Sequence, residues 1–169
     1  MVIFYTSRGE KSGSDAVYAL LETAFISEFG GDLPEIKKTP NGKPYFPDRP
    51  DIHFSLSHAR THVLCAISRE PVGCDIESPR KISERAMDFF CSPGEMALFD
   101  PLDLWVLKES YVKLFGWTFA SIKKLSFSRD GDKIIVPDPS VTARLYHADG
   151  CRAAVCSLDP LLPDSIVLI

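Results

Sequence analysis

The chain has 169 residues, enough to bury roughly 70% of its extended surface in one domain or two small fused lobes. With 45% hydrophobic and 25% charged residues it falls outside the disordered, collagen-like and coiled-coil classes, and a net charge of −4 argues against binding a nucleic-acid backbone. In chain order, residues 2–6 predict a strand and residues 7–13 a polar loop. Val17, Leu20, Leu21, Ala24 and Phe25 then recur at helical spacing until Gly30 and Gly31 end the helix. Residues 39–50 carry Asn41-Gly42 and four prolines, which exclude both a helix interior and a central strand. Strands follow over 52–56, 61–68 and 72–77, the last two joined by a tight turn at Arg69-Glu70-Pro71.

The second half opens with two helix starts. Ser92-Pro93-Gly94-Glu95 reads as an N-cap, an N1 proline and the carboxylate of a capping box, and Asp100-Pro101-Leu102-Asp103 repeats the device before a helix that runs to Gly116. Strands are predicted over 125–127, 133–136, 141–147 and 152–158, with hairpin turns at Asp130-Gly131 and Asp149-Gly150. Both halves therefore read as helix plus antiparallel strands. The expectation is an α+β fold of two lobes, residues 1–77 and 78–169, packed as one unit with a cleft between them. Five cysteines without a C-x-x-C pair point to reduced thiols, and the absence of a long apolar run points to a soluble, cytoplasmic protein that contacts no membrane.

Three clusters could carry chemistry. In Val72-Gly73-Cys74-Asp75-Ile76-Glu77 the strand period puts Asp75 and Glu77 on one face, roughly 7 Å apart, with Cys74 and Ile76 on the other. If that face is buried, repulsion between the carboxylates must be relieved by protonation or by a cation, and Mg²⁺ suits paired oxygen ligands. If it is solvated, the alternation is only that of an ordinary strand. In the predicted helix, Trp105, Glu109, Lys113 and Gly116 share a stripe. Glu109 and Lys113 stand i to i+4, the spacing of a surface salt bridge, but a stripe that begins at Trp and ends at Gly is suited to face another lobe. The third cluster, Phe54-Ser55-Leu56-Ser57-His58, ends a strand with a hydroxyl and an imidazole. Ser57 lacks a G-x-S-x-G elbow, which argues against a serine hydrolase.

Taken together and in this order, Gly42-Lys43-Pro44, 54–58, 73–77, 89–95 and 105–113 resemble the 4′-phosphopantetheinyl transferases of the surfactin type. The most specific part is the pairing of G-x-D-x-E with W-x-x-K-E-x-x-x-K. The resemblance implies two similar lobes with the site between them, and transfer of the phosphopantetheine arm of coenzyme A to a serine of an apo acyl or peptidyl carrier protein, releasing adenosine 3′,5′-bisphosphate. By position, Asp75, Glu77 and Glu109 would hold Mg²⁺, Glu109 would be the base, and Lys113 would stabilise the departing bisphosphate. Ser57 and His58 would contact coenzyme A phosphates, and Lys43 would lie near the nucleotide end. Arg8, Lys11, Lys37 and Lys38 are candidates for its 3′-phosphate. A mid-chain acidic motif implies a monomer. An acidic carrier would dock on Arg80, Lys81, Arg85, Lys123 and Lys124. Val106 and Gly116-Trp117-Thr118-Phe119 depart from the family pattern. The alternative is a Mg²⁺-dependent phosphohydrolase of a small nucleotide or coenzyme, with water as nucleophile. A carrier-binding module without turnover is a third reading.

Overall fold

The computed structural model describes residues 1–169. In chain order it contains β1 (Val2–Ser7), α1 (Gly13–Phe29), β2 (Lys37–Lys38), β3 (Pro44–Tyr45), β4 (His53–His58), β5 (His62–Ser68), β6 (Val72–Glu77), α2 (Glu84–Phe90), α3 (Pro93–Met96) and α4 (Pro101–Phe115). A 3-10 helix (Phe119–Lys124), β7 (Ser128–Asp130), β8 (Lys133–Ile135), β9 (Thr142–Ala148), β10 (Cys151–Ser157) and β11 (Val167–Leu168) follow. The mixed α+β class is as the element pattern indicated. One sheet has the order β11-β1-β5-β4 and the other β6-β10-β9.

Strand alternation explains the layering. On β5, Val63, Cys65 and Ile67 join Val17, Leu20, Leu21 and Phe25 of α1 in one core, while Leu64 and Ala66 point to the opposite face. There they meet Val72, Cys74 and Ile76 of β6 and Ala153 and Val155 of β10. The other face of β10, through Ala154 and Cys156, lies under Leu104, Leu107, Tyr111 and Leu114 of α4. The order is thus helix, sheet, sheet, helix, with three apolar interfaces stabilised by burial.

β5 and β6 are joined by the predicted short turn, yet β6 is hydrogen-bonded to β10 in the second sheet. A division at 77/78 therefore falls at the end of a strand of that sheet. The edges of the two sheets meet where β4 faces β6. There the Ser55 hydroxyl accepts from the Cys74 amide at 2.9 Å and the Ser57 hydroxyl from the Ile76 amide at 3.3 Å. Two serine side chains satisfy edge amides that would otherwise be buried without partners.

The helix caps form as their chemistry indicates. Ser92 and Glu95 make both bonds of the capping box, Asp100 accepts from the Leu102 amide at 2.9 Å, and Gly116 ends α4 at φ 63. The structure differs at short elements. α2 and the 3-10 helix lack enough turns to show a period, although the Ser83 N-cap, accepting from the Ala86 amide, marks the start of α2. Residues 125–127 do not form a strand, because the Phe127 amide donates to the Glu95 carboxylate and not to a neighbouring strand. β11 adds in parallel to β1, placing the C-terminal segment on the first sheet.

Gly73 lets α4 lie directly on β6. A Cβ there would stand 2.1 Å from the Ser110 carbonyl oxygen and 2.3 Å from the Leu114 amide nitrogen, both backbone atoms of α4. Gly73→Ala is expected to push the helix off the strand and to cost about 1–3 kcal/mol as an overpacked contact. Urea unfolding checks this, and an unchanged midpoint would show that the helix yields freely.

Candidate active site

The close approach at Gly73 brings the charged stripe of α4 against the charged face of β6. Leu56, Ser57, His58, Asp75, Glu77, Trp105, Glu109 and Lys113 line one cavity of about 270 Å³. Cys74 and Ile76 are buried between the sheets, so the alternation read from the sequence aims Asp75 and Glu77 into this cavity.

Asp75 is only 6% exposed. Its Oδ1 accepts from the Ser57 hydroxyl and from the Lys113 ammonium, each at 2.7 Å. The Glu109–Lys113 salt bridge suggested by helical spacing is replaced by this cross-element pair. Burial works against the Lys113 charge, but Asp75, with help from Glu109, outweighs it and holds the ammonium above its ordinary pKa. Glu77 accepts from Arg80 Nη2 at 3.1 Å and Nε at 3.3 Å, and the Arg80 guanidinium lies 5.6 Å from the centre of the Trp105 ring. Repulsion between the strand carboxylates is therefore relieved by two cations of the protein itself.

Glu109 has no such partner. Burial, followed by the negative charges of Asp75 and Glu77 and opposed by Lys113, pushes its carboxyl up to about 7. That is the range suited to a general base at neutral pH. The three carboxylates expected to share Mg²⁺ line the same cavity, yet no three His, Cys, Asp or Glu side chains form a ready metal-binding group. In this arrangement Lys113 pairs with Asp75 and Arg80 with Glu77. The donors still fit a hard divalent ion, since all are carboxylate oxygens and their mutual repulsion is part of what raises Glu109.

The other expected contacts are placed as follows. Ser57 donates its only hydroxyl proton to Asp75, so in this arrangement it orients the carboxylate and has no donor left for a phosphate. His58 is exposed and packs on the first residue of α1, where a Cβ at Gly13 would stand 2.8 Å from the imidazole Cγ. Lys43 turns its ammonium inward onto backbone carbonyls, and burial pushes its pKa down to about 8. Arg80, expected on the docking face, is held by Glu77, whereas Lys81, Arg85, Lys123 and Lys124 are exposed. Arg8, half-buried, and Lys11, exposed, lie in the loop before α1, and Lys37 and Lys38 form exposed β2.

The residue pattern assigns Lys108 no role, and in the sequence Glu95 is only the carboxylate of a capping box. The two form a buried pair at 2.7 Å, 1% and 2% exposed. Lys108 also donates to the carbonyls of Phe90 at 2.6 Å and Leu125 at 2.8 Å. Glu95 accepts the amides of Ser92 and Phe127, each at 2.8 Å. Burial opposes the Glu95 charge, but Lys108 and these amides together hold its carboxyl below the usual range. The signal was present in the spacing, since Leu104, Lys108 and Tyr111 recur at i, i+4 and i+7 on the buried face of α4.

All five cysteines are free. Burial raises the thiols of Cys74 and Cys91 to about 11 and that of Cys156 to about 12, which removes them as nucleophiles at neutral pH. No helix is long and apolar enough to cross a membrane.

Residues 71–156, which hold β6, α4 and most of the cavity wall, match the profile of the 4′-phosphopantetheinyl transferase superfamily. The chain is 34% identical over 146 residues to the 4′-phosphopantetheinyl transferase Sfp of Bacillus subtilis strain 168, an overlap of 76% of this chain and 65% of that protein. It thus spans slightly less than two thirds of that relative. A second 4′-phosphopantetheinyl transferase of Bacillus subtilis is 32% identical over 167 residues, covering 87% of this chain and 74% of the relative. The 4′-phosphopantetheinyl transferase AcpT of Escherichia coli O157:H7 is 32% identical over 115 residues, 59% of each chain. With the match centred on the strand and helix that build the cavity, the chain belongs to the 4′-phosphopantetheinyl transferase superfamily.

Proposed function

We propose that the protein transfers the 4′-phosphopantetheine arm of coenzyme A to a serine of an apo acyl or peptidyl carrier protein, releasing adenosine 3′,5′-bisphosphate. The observation that carries this reading is the convergence of Glu109, Asp75 and Lys113 on one cavity, with Glu109 raised to about 7. Glu109 takes the proton of the carrier serine. The serine oxygen bonds to the phosphorus of the pantetheine side, and the bond from that phosphorus to the bridging oxygen breaks. Lys113, held in place by Asp75, offers its charge to the departing phosphate. Asp75, Glu77 and Glu109 would hold Mg²⁺, which when bound supplies positive charge against the pyrophosphate oxygens. The two helix-covered sheets are, in this reading, the two similar lobes of a monomer.

Exposed Phe89 of α2 stacks on exposed Phe119 of the 3-10 helix at 5.3 Å, on the elements that carry Arg85, Lys123 and Lys124. The exposed apolar pair, flanked by the cations Arg85, Lys123 and Lys124 as well as by Glu84 and Asp88, is in this reading where an acidic carrier docks. Arg85→Glu is expected to raise carrier KM with little change in kcat, and the effect should fade at high salt. A salt-independent loss of kcat would remove this surface from docking.

The deciding experiment is mass spectrometry of an apo carrier protein after incubation with this protein, coenzyme A and Mg²⁺. Addition of one phosphopantetheine arm supports the proposal. Consumption of coenzyme A without addition to the carrier would favour the phosphohydrolase reading.

A further inference from the structure

The connector between α1 and β4 closes on itself before it meets the rest of the chain. The Gly42 amide donates to the Thr39 carbonyl at 2.8 Å, the Thr39 amide to the Lys43 carbonyl at 2.9 Å, and the Lys43 amide to the Thr39 hydroxyl at 3.1 Å. Gly42 adopts φ 87, a left-handed conformation that favours glycine. The turn points Lys43 into the protein. Its ammonium donates to the Leu114 carbonyl at 2.5 Å and to the Val72 carbonyl at 3.3 Å. Its stem lies along Gly116, where an added Cβ would come within 3.4 Å of the lysine Cβ and Cδ. Beside it, the Asn41 side-chain amide donates to the Gly116 carbonyl at 3.0 Å.

The two acceptors of Lys43 belong to the two walls of the candidate site. Val72 begins β6, the strand of Asp75 and Glu77, and Leu114 lies in the last turn of α4, the helix of Glu109 and Lys113. Carbonyls of a last helical turn lack intrahelical partners and carry the negative end of the helix dipole, so a cation there is favoured twice. The resemblance places Lys43 near the nucleotide end of coenzyme A; in the structure its ammonium bonds backbone carbonyls.

We propose that Lys43 is a positioning residue: by bonding β6 and the end of α4 with one ammonium, it fixes the spacing between the carboxylate strand and the Glu109–Lys113 stripe. The inference rests on the reading that this cavity performs the transfer, and it departs from a role for Lys43 in holding coenzyme A.

The test uses Lys43→Met, which keeps the stem and removes the donors, and Lys43→Arg, which keeps a cation and several donors. Amide hydrogen exchange at Gly116 and Trp117, whose amides bond to Lys113 and Val112 carbonyls, reports the end of α4 without reference to catalysis. In Lys43→Met, exchange there is expected to quicken by about tenfold, the scale of one charged hydrogen bond. Lys43→Arg should recover most of that protection. With apo carrier as acceptor, kcat at saturating coenzyme A should fall by about tenfold in Lys43→Met, while the calorimetric Kd for coenzyme A stays within about threefold of the native value. Unchanged exchange at Gly116 and Trp117 would overturn the proposal, and so would a coenzyme A Kd raised tenfold or more with kcat retained. If the native protein transfers nothing, the proposed function fails, yet the exchange measurement still decides whether Lys43 braces α4.

Discussion

Glu109→Gln is expected to lower kcat by at least ~10²-fold, the loss typical of a general base, while carrier KM changes little. Glutamine keeps the size and helix preference of the side chain, so the change removes its charge, its basicity and one of the three carboxylates proposed to hold Mg²⁺. The reasoning lies in the electrostatics of the cavity. Asp75 and Glu77 have cations of their own, whereas Glu109, with no cation bound, is pushed up to about 7 by burial and by those carboxylates. Steady-state kinetics checks the prediction. A change confined to carrier KM would make Glu109 a docking residue.

A stability measurement tests the same group independently of turnover. In chelator-treated protein the Glu109 carboxyl titrates near 7 when folded, against a usual value of 4.5. Between those values the folded state binds more protons than the unfolded one. The contribution of this group is therefore greatest on the acidic side of the window and is lost as pH rises through it. Glu109→Gln lacks the titration. Its urea midpoint relative to the native protein should rise from about pH 5 to about pH 7.5, and parallel curves would count against the perturbed carboxyl.

Lys108→Met is expected to destabilise the protein by about 3–5 kcal/mol, because it leaves the Glu95 carboxylate buried without its partner. Lys108 meets three acceptors, one for each N–H, and thereby ties α4 to the end of α2, to the α3 cap and to the segment after the 3-10 helix. Methionine fills similar space but returns none of those bonds. The double variant Lys108→Met/Glu95→Gln removes the stranded charge while keeping an acceptor for the Phe127 amide, and should recover a large part of the loss. Urea unfolding of the native protein, both single variants and the double gives the coupling between the two positions. Additive losses would show that the carboxylate and the ammonium act separately.

Much of the secondary structure was legible because local rules sufficed. The periods of α1 and α4, the Ser92–Glu95 and Asp100–Pro101 caps, and the in-out alternation of Asp75 and Glu77 each depend on neighbours a few residues apart. The candidate site was legible as a set of residues through the family resemblance that G-x-D-x-E and W-x-x-K-E-x-x-x-K carry together, since each motif alone also fits an ordinary strand face or surface salt bridge. Short elements such as α2 and the 3-10 helix were not, because fewer than about two turns show no period.

By itself, then, the sequence determined the mixed α+β class, the side of β6 shared by Asp75 and Glu77, the stripe shared by Glu109 and Lys113, and the residues available for chemistry. The tertiary structure alone decided who pairs with whom. Lys113 chose Asp75 across the sheet-helix contact over Glu109 on its own helix, Arg80 took Glu77, and Lys43 and Lys108 were committed to carbonyls far away in the chain. The physical reason is that a buried charge must find a partner wherever packing places one, and that partner is selected by desolvation and distance in three dimensions, quantities that spacing along the chain does not contain.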